Sequence, residues 1–392
     1  MYYYIIWYNK KVQILVIIGY RMVSKENSEE RDDISKDLEL DKKKEMYPID
    51  ALKLDKTFYS VFELKRKRDK EIIKLNPEFQ RNDVWKKPQK IELVESVLMG
   101  LPLPIFYFNR DKNGKLIVVD GRQRLTALFS YMEDEFRLED LKVLSQDFEK
   151  KFSELPQIYQ SKIEDFQLIA YEITPETPES VLYNIFDRVN RGGTSLNKQE
   201  IRNALYQGKS TKLLNEIVKS DLFKTATGKG LEKDNRQKAQ YILLRFIAFY
   251  LQHKEQITDI KGNIYKYKDI DNFLSRTMEV INEYDDIGYN SLRDKVIYTL
   301  NNCKNYTDEN IFRLIINGQK SPINMNVFET IMYIMSFLSD NLDRKTVFEK
   351  INNLKNSQQF RENIGNHRDA ESNVNERFSM ADKIIKELQN DK

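Results

Sequence analysis

The chain has 392 residues, and its 64 Lys and Arg side chains nearly balance 61 Asp and Glu, so the net charge is only +3. This balance argues against histone-like binding of nucleic acid through overall charge, although a local basic groove stays compatible with it. One cysteine excludes an intrachain disulfide, which fits a reducing cytoplasm. With only two histidines, the sequence also argues against a Cys/His zinc site, an HNH-type nuclease and a serine–histidine hydrolase.

The first 50 residues differ in character from the rest of the chain. Residues 2–8 and 12–20 are apolar, but a polar Asn-Lys-Lys separates them, and neither reaches the ~20 apolar residues of a membrane span. A charged stretch follows from Met22. We therefore expect residues 1–50 to be a disordered or mis-annotated extension, in which residues 22–50 are disordered or loosely helical, with Met22 or Met46 as the natural initiator, and no stable membrane association.

The next part of the chain alternates short helices and strands. Ser60 to Glu63 has capping-box spacing and predicts a helix to about Lys70. The short apolar run Ile72 to Leu75 predicts a strand. Pro88 and Gly100 mark the two ends of a further helix, because proline suits the first helical turn and glycine the position after the last.

A hairpin and a helix follow. Ile105 to Phe108 and Leu116 to Val119 read as strands, and Asn113-Gly114 between them is a strong hairpin signal. A helix with Leu125 on its apolar face begins directly afterwards. The sequence thus predicts that a strand passes into a helix over Asp120 to Arg124.

The remaining elements complete an α+β prediction. Gln167 to Ile173 predicts a strand, Thr177 to Val189 a helix with Thr177 as its cap, and Asn197 with Glu200 caps the helix after it. From about Leu213 amphipathic stretches dominate. We predict one domain over residues 51–212 and an all-helical domain over residues 213–392, whose clearest helices are Lys238–Leu251, Tyr267–Tyr284, Val327–Leu338 and Met380–Leu388.

The strand-to-helix junction is the first candidate site. Helix N-termini carry unpaired N–H groups and partial positive charge, and glycine allows an anion to approach the backbone closely. Arg122 and Arg124 add charge that suits phosphate, and Asp120 can hold magnesium or cap the helix. The alternative is an ordinary capped helix with exposed arginines.

Two further segments contain similar chemistry. Asn76 to Arg81, followed by Trp85, places an arginine in a loop after a short strand. Phe186 to Thr194 combines a helix end with two arginines, an amide and two glycines. Taken singly, Trp85 also suits a core anchor, and Phe186 to Thr194 also suits a helix end stopped by glycine.

Together these segments resemble the N-terminal, GmrS-like domain of GmrSD-type restriction proteins, the "DGQQR" family, whose fold is similar to ParB and sulfiredoxin. Asn76 to Trp85 resembles the family's P-x-(Y/F)-Q-R…W segment, and Ile91 to Phe108 its S-I-L-x-G-x-P-I-P stretch. Asp120 to Leu125 resembles the DGQQR motif, and Phe186 to Thr194 resembles F-x-x-(I/V)-N-x-x-G. Order and spacing agree over about residues 58–210.

The resemblance implies a ParB/sulfiredoxin-like domain that binds a nucleoside triphosphate and hydrolyses it with Mg²⁺ in a cytoplasmic, prokaryotic antiphage or restriction system that senses foreign or modified DNA. Carried over onto matching positions, the catalytic residues are Asp120, Gln123 and Arg124, with Asp120 also as the metal ligand. The implied nucleotide-binding residues are Gln80, Arg81, Gly121, Arg122, Asn190, Gly192 and Gly193. Arg122 departs from the family motif, which has Gln there.

The implied function leaves three alternatives. Many relatives carry an HNH-type nuclease half, which His253 and His367 alone cannot form. The chain is therefore expected to be an NTPase module that acts with a separate nuclease subunit, or a non-catalytic nucleotide- or DNA-binding switch or adaptor, or a DNA nuclease that uses its ParB-like domain. The oligomeric state stays open.

Overall fold

The computed structural model describes residues 33–38, 53–75, 85–111, 113–189, 197–231, 234, 236–259, 261–316, 318–339, 342–365 and 367–390. The predicted site residues Gln80, Arg81, Asn190, Gly192 and Gly193 lie outside these ranges. The chain divides into two compact units. We call Leu40–Gln207 the sheet unit, and Met1–Glu39 together with Gly208–Lys392 the helical unit. The boundary predicted from the sequence, between residues 212 and 213, lies five residues after the observed one. It coincides with the first apolar residues of a helix that begins at Lys209.

One part of the predicted extension is ordered. Helix α1 (Asp33–Leu38) belongs to the helical unit and contacts the helix Lys238–His253. Ile34 and Leu38 lie one helical turn apart and are both buried. Of the two states expected for residues 22–50, these six residues adopt the helical one, because two apolar side chains at this spacing form a face that packing can bury.

A five-stranded sheet organises the sheet unit. Its strands lie in the order β1-β5-β3-β4-β2. Strand β5 is antiparallel to β1 and parallel to β3, while β4 is antiparallel to β3 and parallel to β2. The strands are β1 (Leu54–Ser60), β2 (Ile73–Lys74), β3 (Phe106–Arg110), β4 (Leu116–Asp120) and β5 (Gln167–Ile173).

Two helices of the sheet unit begin where their caps predict, whereas the helix predicted from Thr177 begins at Glu179, two residues later, so that Thr177 is not its N-cap. The Ser60 hydroxyl accepts a hydrogen bond from the Glu63 amide at 3.0 Å, and Asn197 forms the predicted capping box with Glu200. Gly100 has a φ of 78° at a helix end, which confirms the predicted stop. The helices are α2 (Val61–Asp69), α3 (Lys87–Met99), α4 (Arg122–Met132), α5 (Gln157–Glu164), α6 (Glu179–Val189) and α7 (Lys198–Leu205).

Each face of the sheet carries a different core. The first core joins β3, β4 and β5 to α2, α3, α4 and α5, and it includes Phe106, Phe108, Val118 and Leu168. The second core lies where α6 and α7 meet the sheet, and it consists of Val119, Ile173, Leu182, Phe186, Ile201 and Ala204. Because side chains alternate along a strand, Val118 and Val119 belong to opposite faces.

The helical unit is mostly but not entirely helical. The long helix α12 (Asp286–Tyr306), which the sequence did not single out, begins at an Asp285 cap whose carboxylate accepts from the Gly288 amide at 2.7 Å. The four predicted helices are confirmed as α10 (Lys238–His253), α11 (Ile270–Glu283), α13 (Met325–Phe337) and α16 (Glu371–Asn390). The helices of this unit are α8 (Lys209–Lys219), α9 (Asp221–Ala226), α10 (Lys238–His253), α11 (Ile270–Glu283), α12, α13 (Met325–Phe337), α14 (Arg344–Asn356), α15 (Gln358–Asn363) and α16 (Glu371–Asn390).

The prediction of an all-helical domain after residue 212 is wrong in one place. Strands β6 (Arg313–Ile316) and β7 (Gln319–Ile323) form an antiparallel hairpin. The sequence holds the reason, since a short β-branched run precedes Asn317-Gly318, the same turn signal as in the sheet unit, and Gly318 has a φ of 77°. Among the described residues, none of the helices has the length and apolar character needed to cross a membrane.

Cys303 provides a test of packing in the helical unit. Its side chain is 2% exposed and its sulfur lies 3.5 Å from that of Met332. Burial raises the pKa of the Cys303 thiol well above its usual range, and only the thiolate is reactive. We expect a disulfide reagent to label native protein roughly 100-fold more slowly than protein in urea. Equal labelling rates in both conditions would contradict this packing.

Candidate functional site

The predicted strand-to-helix junction is confirmed. Strand β4 ends at Asp120, Gly121 is the N-cap of α4 with a φ of 99°, and the helix begins at Arg122. The N-cap residue of α4 is a glycine and therefore offers no side chain to cap the first turn. An ordinary side-chain-capped helix, with Asp120 as the cap, is therefore not what forms here. A helix start without a side-chain cap keeps N–H groups and partial positive charge available for an anion.

Phe106 explains why the junction needs glycine. A Cβ built on Gly121 would lie within 2.7 Å of Cε1 of the Phe106 ring and closer still to its Cδ1. The positive φ of Gly121 separately disfavours any side chain. Gly121 is thus required both by its backbone conformation and by close packing on the first strand of the predicted hairpin.

Arg124 holds the junction together from inside. Its guanidinium donates to the carbonyl oxygens of Pro104 and Ile105 and to Oδ2 of Asp120, the last at 2.7 Å. It also lies over the Phe106 ring, 4.3 Å from the ring centroid. Burial lowers the pKa of Arg124, and the neighbouring Asp120 carboxylate opposes this effect. Arg124 is therefore not the exposed arginine of the alternative interpretation, because it connects the Pro104–Ile105 segment to Asp120.

Asp120 is partly exposed at the end of β4. Its side chain is 35% exposed, and only one carboxylate oxygen pairs with Arg124. The register between β3 and β4 shifts at this point, so that Asp120 lies directly opposite Tyr107. Such bulges redirect side chains and are common beside active sites. The second carboxylate oxygen suits one Mg²⁺ contact, since magnesium often takes a single carboxylate with waters and phosphate oxygens.

Gln123 carries an unusual polar atom. Its amide oxygen Oε1 is buried and accepts no hydrogen bond from the described part of the chain. A buried acceptor without a partner costs about 1–3 kcal/mol, so its presence calls for an explanation. Gln123 lies in the first turn of α4, one residue from Arg124. An amide oxygen accepts only from N–H or O–H groups, which suits a water molecule or a ligand hydroxyl.

Arg122 also differs from the exposed arginine that the alternative required. It is the first residue of α4, it is 8% exposed, and it interacts with a neighbouring group. Both arginines of the motif therefore turn inward.

Described residues that border the two flanking segments lie near this junction. Strand β2 runs parallel to β4, with Lys74 beside Ile117, so the chain leaves β2 toward the edge where β4 ends. Leu75 and Trp85, on either side of the segment 76–84, pack on the first core. On the other flank, α7 contacts β4, and Phe186 shares an apolar core with Val119. The structure thus brings the surroundings of all three sequence segments to one edge of the sheet.

Residues 59–207 match the family model described as the GmrSD restriction endonuclease, N-terminal domain. This part of the chain is a GmrSD-type N-terminal domain. The match begins in β1 and ends at Gln207, where the sheet unit also ends. No curated protein matches the chain.

The GmrSD-type domain has a buried polar row that sequence reasoning missed. Gln199 and Asn203 lie one turn apart on α7 and are bonded at 2.8 Å, and Arg202 donates to Gln199 at 2.8 Å. All three side chains are fully buried. The available signal was the pattern Gln-Glu-Ile-Arg-Asn, which places polar residues where a helix against the sheet should be apolar.

A second polar cluster of the GmrSD-type domain is structural. Glu172 is fully buried and accepts from the Tyr59 hydroxyl and from Nε of Arg110, the latter at 2.8 Å. Burial, together with the hydrogen bond to Glu172, raises the pKa of Tyr59 well above its usual range. Glu172 therefore has its partners within the domain and needs no ligand.

Other polar groups do not form a rival site. Among the described residues, no three His, Cys, Asp or Glu side chains are arranged to hold a metal ion. A cavity of about 520 Å³ in the helical unit is lined by Asp37, Arg368 and Asp369. Their charges are matched internally, because Asp37 pairs with Arg368 at 3.2 Å and Asp369 pairs with Arg245 at 2.6 Å.

Proposed function

We propose that the GmrSD-type domain binds a nucleoside triphosphate at the Asp120–Arg124 junction and hydrolyses it with Mg²⁺, as a module of a cytoplasmic, prokaryotic restriction or antiphage system. The observation that carries this proposal is the α4 N-terminus, which begins at a positive-φ glycine and lacks a side-chain cap. The family name printed for residues 59–207 supports the link to restriction.

The proposed roles follow from the contacts of each residue. Phosphate oxygens accept from the N–H groups of the first turn of α4, close to the Gly121 backbone. Gln123 orients the attacking water through Oε1, the buried acceptor that has no partner among the described residues. Arg124 fixes the position of Asp120 rather than contacting phosphate itself. Magnesium, when bound, neutralises phosphate charge, and Asp120 is the residue that would hold it.

Hydrolysis at such a site depends mainly on positioning and on charge stabilisation. Water attacks the terminal phosphorus while the bond from that phosphorus to the leaving phosphate oxygen breaks. In the proposal Asp120 and Gln123 place the water on the side opposite the leaving group. Gln80, Arg81, Asn190, Gly192 and Gly193, at positions that match the family motifs, complete the proposed nucleotide site.

The finer family assignment belongs to the same proposal. We take Asp120 to Arg124 as the counterpart of the DGQQR motif, with Arg122 in place of a glutamine, and the sheet unit as ParB/sulfiredoxin-like. With two histidines in its whole sequence, the chain is expected to lack an HNH cluster. A separate nuclease subunit that is controlled by nucleotide turnover, with DNA as the shared target, therefore fits the proposal.

One observation favours a second candidate, a nucleotide-binding switch with negligible turnover. The donors of Arg124 are directed to Pro104, Ile105 and Asp120, so this cation does not face a transferring phosphate. Transition-state charge in phosphoryl transfer is usually met by such a cation. A partner that supplied the missing charge would turn the switch into an enzyme.

Replacing Gln123 by alanine separates these candidates. We expect wild-type protein to release phosphate from at least one nucleoside triphosphate with Mg²⁺, and Gln123→Ala to lower that rate roughly 100-fold because the water is no longer oriented. The measurement is phosphate release from each of the four nucleotides. Gln146→Ala, at an exposed glutamine in the same unit, is the matched control and should keep the wild-type rate.

The outcomes assign the function. Wild-type protein that binds nucleotide but releases no phosphate favours the switch. Equal rates for Gln123→Ala and Gln146→Ala would remove Gln123 from the mechanism. Plasmid incubated with the protein, with and without nucleotide, tests a nuclease in the sheet unit, and intact plasmid in every condition would reject it.

A further inference from the structure

Four side chains form a row across the sheet of the GmrSD-type domain. Asp120 on β4 lies opposite Tyr107 on β3, Tyr107 lies beside Tyr171 on β5, and Tyr171 lies opposite Lys56 on β1. Directly paired residues of neighbouring strands point to the same face. The row therefore begins at the junction and ends at the edge strand.

The middle of this row is an aromatic platform. The rings of Tyr107 and Tyr171 are stacked, with centroids 5.8 Å apart and an angle of 27° between their planes. Tyr107 borders the second core, and neither hydroxyl makes a hydrogen bond with the described residues. A pair of tyrosines that served only the core would be expected to bury its hydroxyls with partners.

The second core covers one part of this face, and the described residues leave the platform partly exposed beside it. Tyr107 and Tyr171 are half-buried, and Phe58, on the same face of the edge strand, is 55% exposed. On the opposite face of β5, Leu168 and Ala170 are buried in the first core. Aromatic side chains that are kept on the solvated face, while the core face is filled, indicate a binding surface.

The size of the row suits one nucleotide. Neighbouring strands lie about 4.8 Å apart, so Tyr171 is roughly 10 Å from Asp120. A nucleotide whose phosphates lie at Gly121 can place its base over the tyrosine pair at that separation. Nucleobases stack on aromatic side chains whatever their sequence, because every base has a π face.

We propose that Tyr107 and Tyr171 stack on the base of the nucleotide whose phosphates occupy the junction, and that Lys56 marks the outer end of this base site. The inference rests on the proposed function, because it uses the same phosphate position. The inference adds the nucleobase as a second part of the ligand that the domain recognises, besides the phosphates. A free nucleotide is favoured over a nucleic-acid strand, since Asp120 places an acidic side chain at one end of the row and Lys56 is its only basic member.

The test compares Tyr171→Leu with Tyr171→Phe by calorimetric titration. The probes are the β,γ-imido analogues of the four nucleoside triphosphates, with Mg²⁺, and inorganic tripolyphosphate, which has no base. We expect Tyr171→Leu to bind the preferred analogue about ten-fold more weakly, as lost stacking predicts, and tripolyphosphate unchanged. Tyr171→Phe keeps the ring and should bind both probes like wild type.

A matched control and a second measurement guard against a folding defect. Tyr159→Leu removes a tyrosine that packs edge-on against Phe148 at 4.8 Å, on the first core, and should leave nucleotide affinity unchanged. In wild-type protein, a photoactivated azido nucleotide should crosslink to the peptides that contain Tyr107 or Tyr171. Crosslinks confined to other peptides would overturn the assignment even if Tyr171→Leu does not fold.

The possible results separate the proposed base site from the proposed nucleotide-binding function on which it rests. If wild-type protein binds neither analogues nor tripolyphosphate, the proposed function fails and the base site fails with it. If wild type binds nucleotide and Tyr171→Leu binds it equally well, the base site is wrong while the phosphate site stands. Tyrosine-dependent binding of an oligothymidylate without binding of mononucleotide would replace the nucleotide by a nucleic-acid strand.

Discussion

Replacing Gly121 by alanine is expected to destabilise the sheet unit by about 2–4 kcal/mol and to abolish nucleotide binding at the junction. Alanine would have to adopt a φ of 99°, which strains an L-residue. Its Cβ would also collide with the Phe106 ring. The ring cannot move freely, because the Arg124 guanidinium lies over it while holding Asp120. Backbone strain and overpacking therefore act together.

Trp85 provides the measurement for this variant. It packs on the first core, and in a Trp7→Phe background it is the only tryptophan of the chain, so its fluorescence follows urea unfolding of the sheet unit. Gly114→Ala is the matched control, since Gly114 also has a positive φ, of 78°, but its added Cβ meets nothing within 4 Å. If Gly121→Ala unfolds at the same urea concentration as Gly114→Ala, Phe106 does not constrain the junction.

Replacing Glu329 by alanine is expected to destabilise the helical unit by about 3–5 kcal/mol. Glu329 is fully buried and pairs with two fully buried arginines, Arg245 at 2.5 Å and Arg377 at 2.8 Å. Removing the carboxylate leaves their charges underpaired in a medium that solvates them poorly. Asp369 forms an ion pair with Arg245, at 2.6 Å, and would still balance part of that arginine's charge.

The rate at which Cys303 becomes labelled in increasing urea measures this loss, because Cys303 is buried in the same unit. Glu216→Ala is the control. It removes a carboxylate that also pairs with an arginine, Arg293, but both side chains are more than a third exposed. An exposed pair contributes about 0–1 kcal/mol, so this variant should stay close to wild type. Comparable losses in the two variants would show that burial does not set the cost.

Local sequence was enough to predict most elements of the sheet unit. The strand over Gln167–Ile173 and the helix from Val61 were predicted with correct starts, because caps and alternation act over a few neighbouring residues. The hairpin at Asn113-Gly114 followed from the turn that those residues favour. The same turn signal at Asn317-Gly318 follows a shorter apolar run, and the second hairpin was not predicted.

Partners distant in the sequence were beyond such reasoning. Asp37 of α1 pairs with Arg368, which is 331 residues away, and nothing near Asp37 indicates that contact. Glu172 reads as a surface residue of a strand until Tyr59 and Arg110 are seen beside it. Buried charges depend on these long-range contacts, since an unpaired one would be too costly to bury.

The junction shows the same division within one motif. The sequence by itself determined that a strand ends at Asp120, that Gly121 makes the turn and that a helix begins at Arg122, because backbone preferences are local. Only the tertiary structure decided that Arg124 turns inward to Pro104 and Asp120, and that Tyr107 and Tyr171 remain on a partly exposed face. The direction of a long charged side chain depends on which carbonyls and rings the fold brings near it, and those come from other strands.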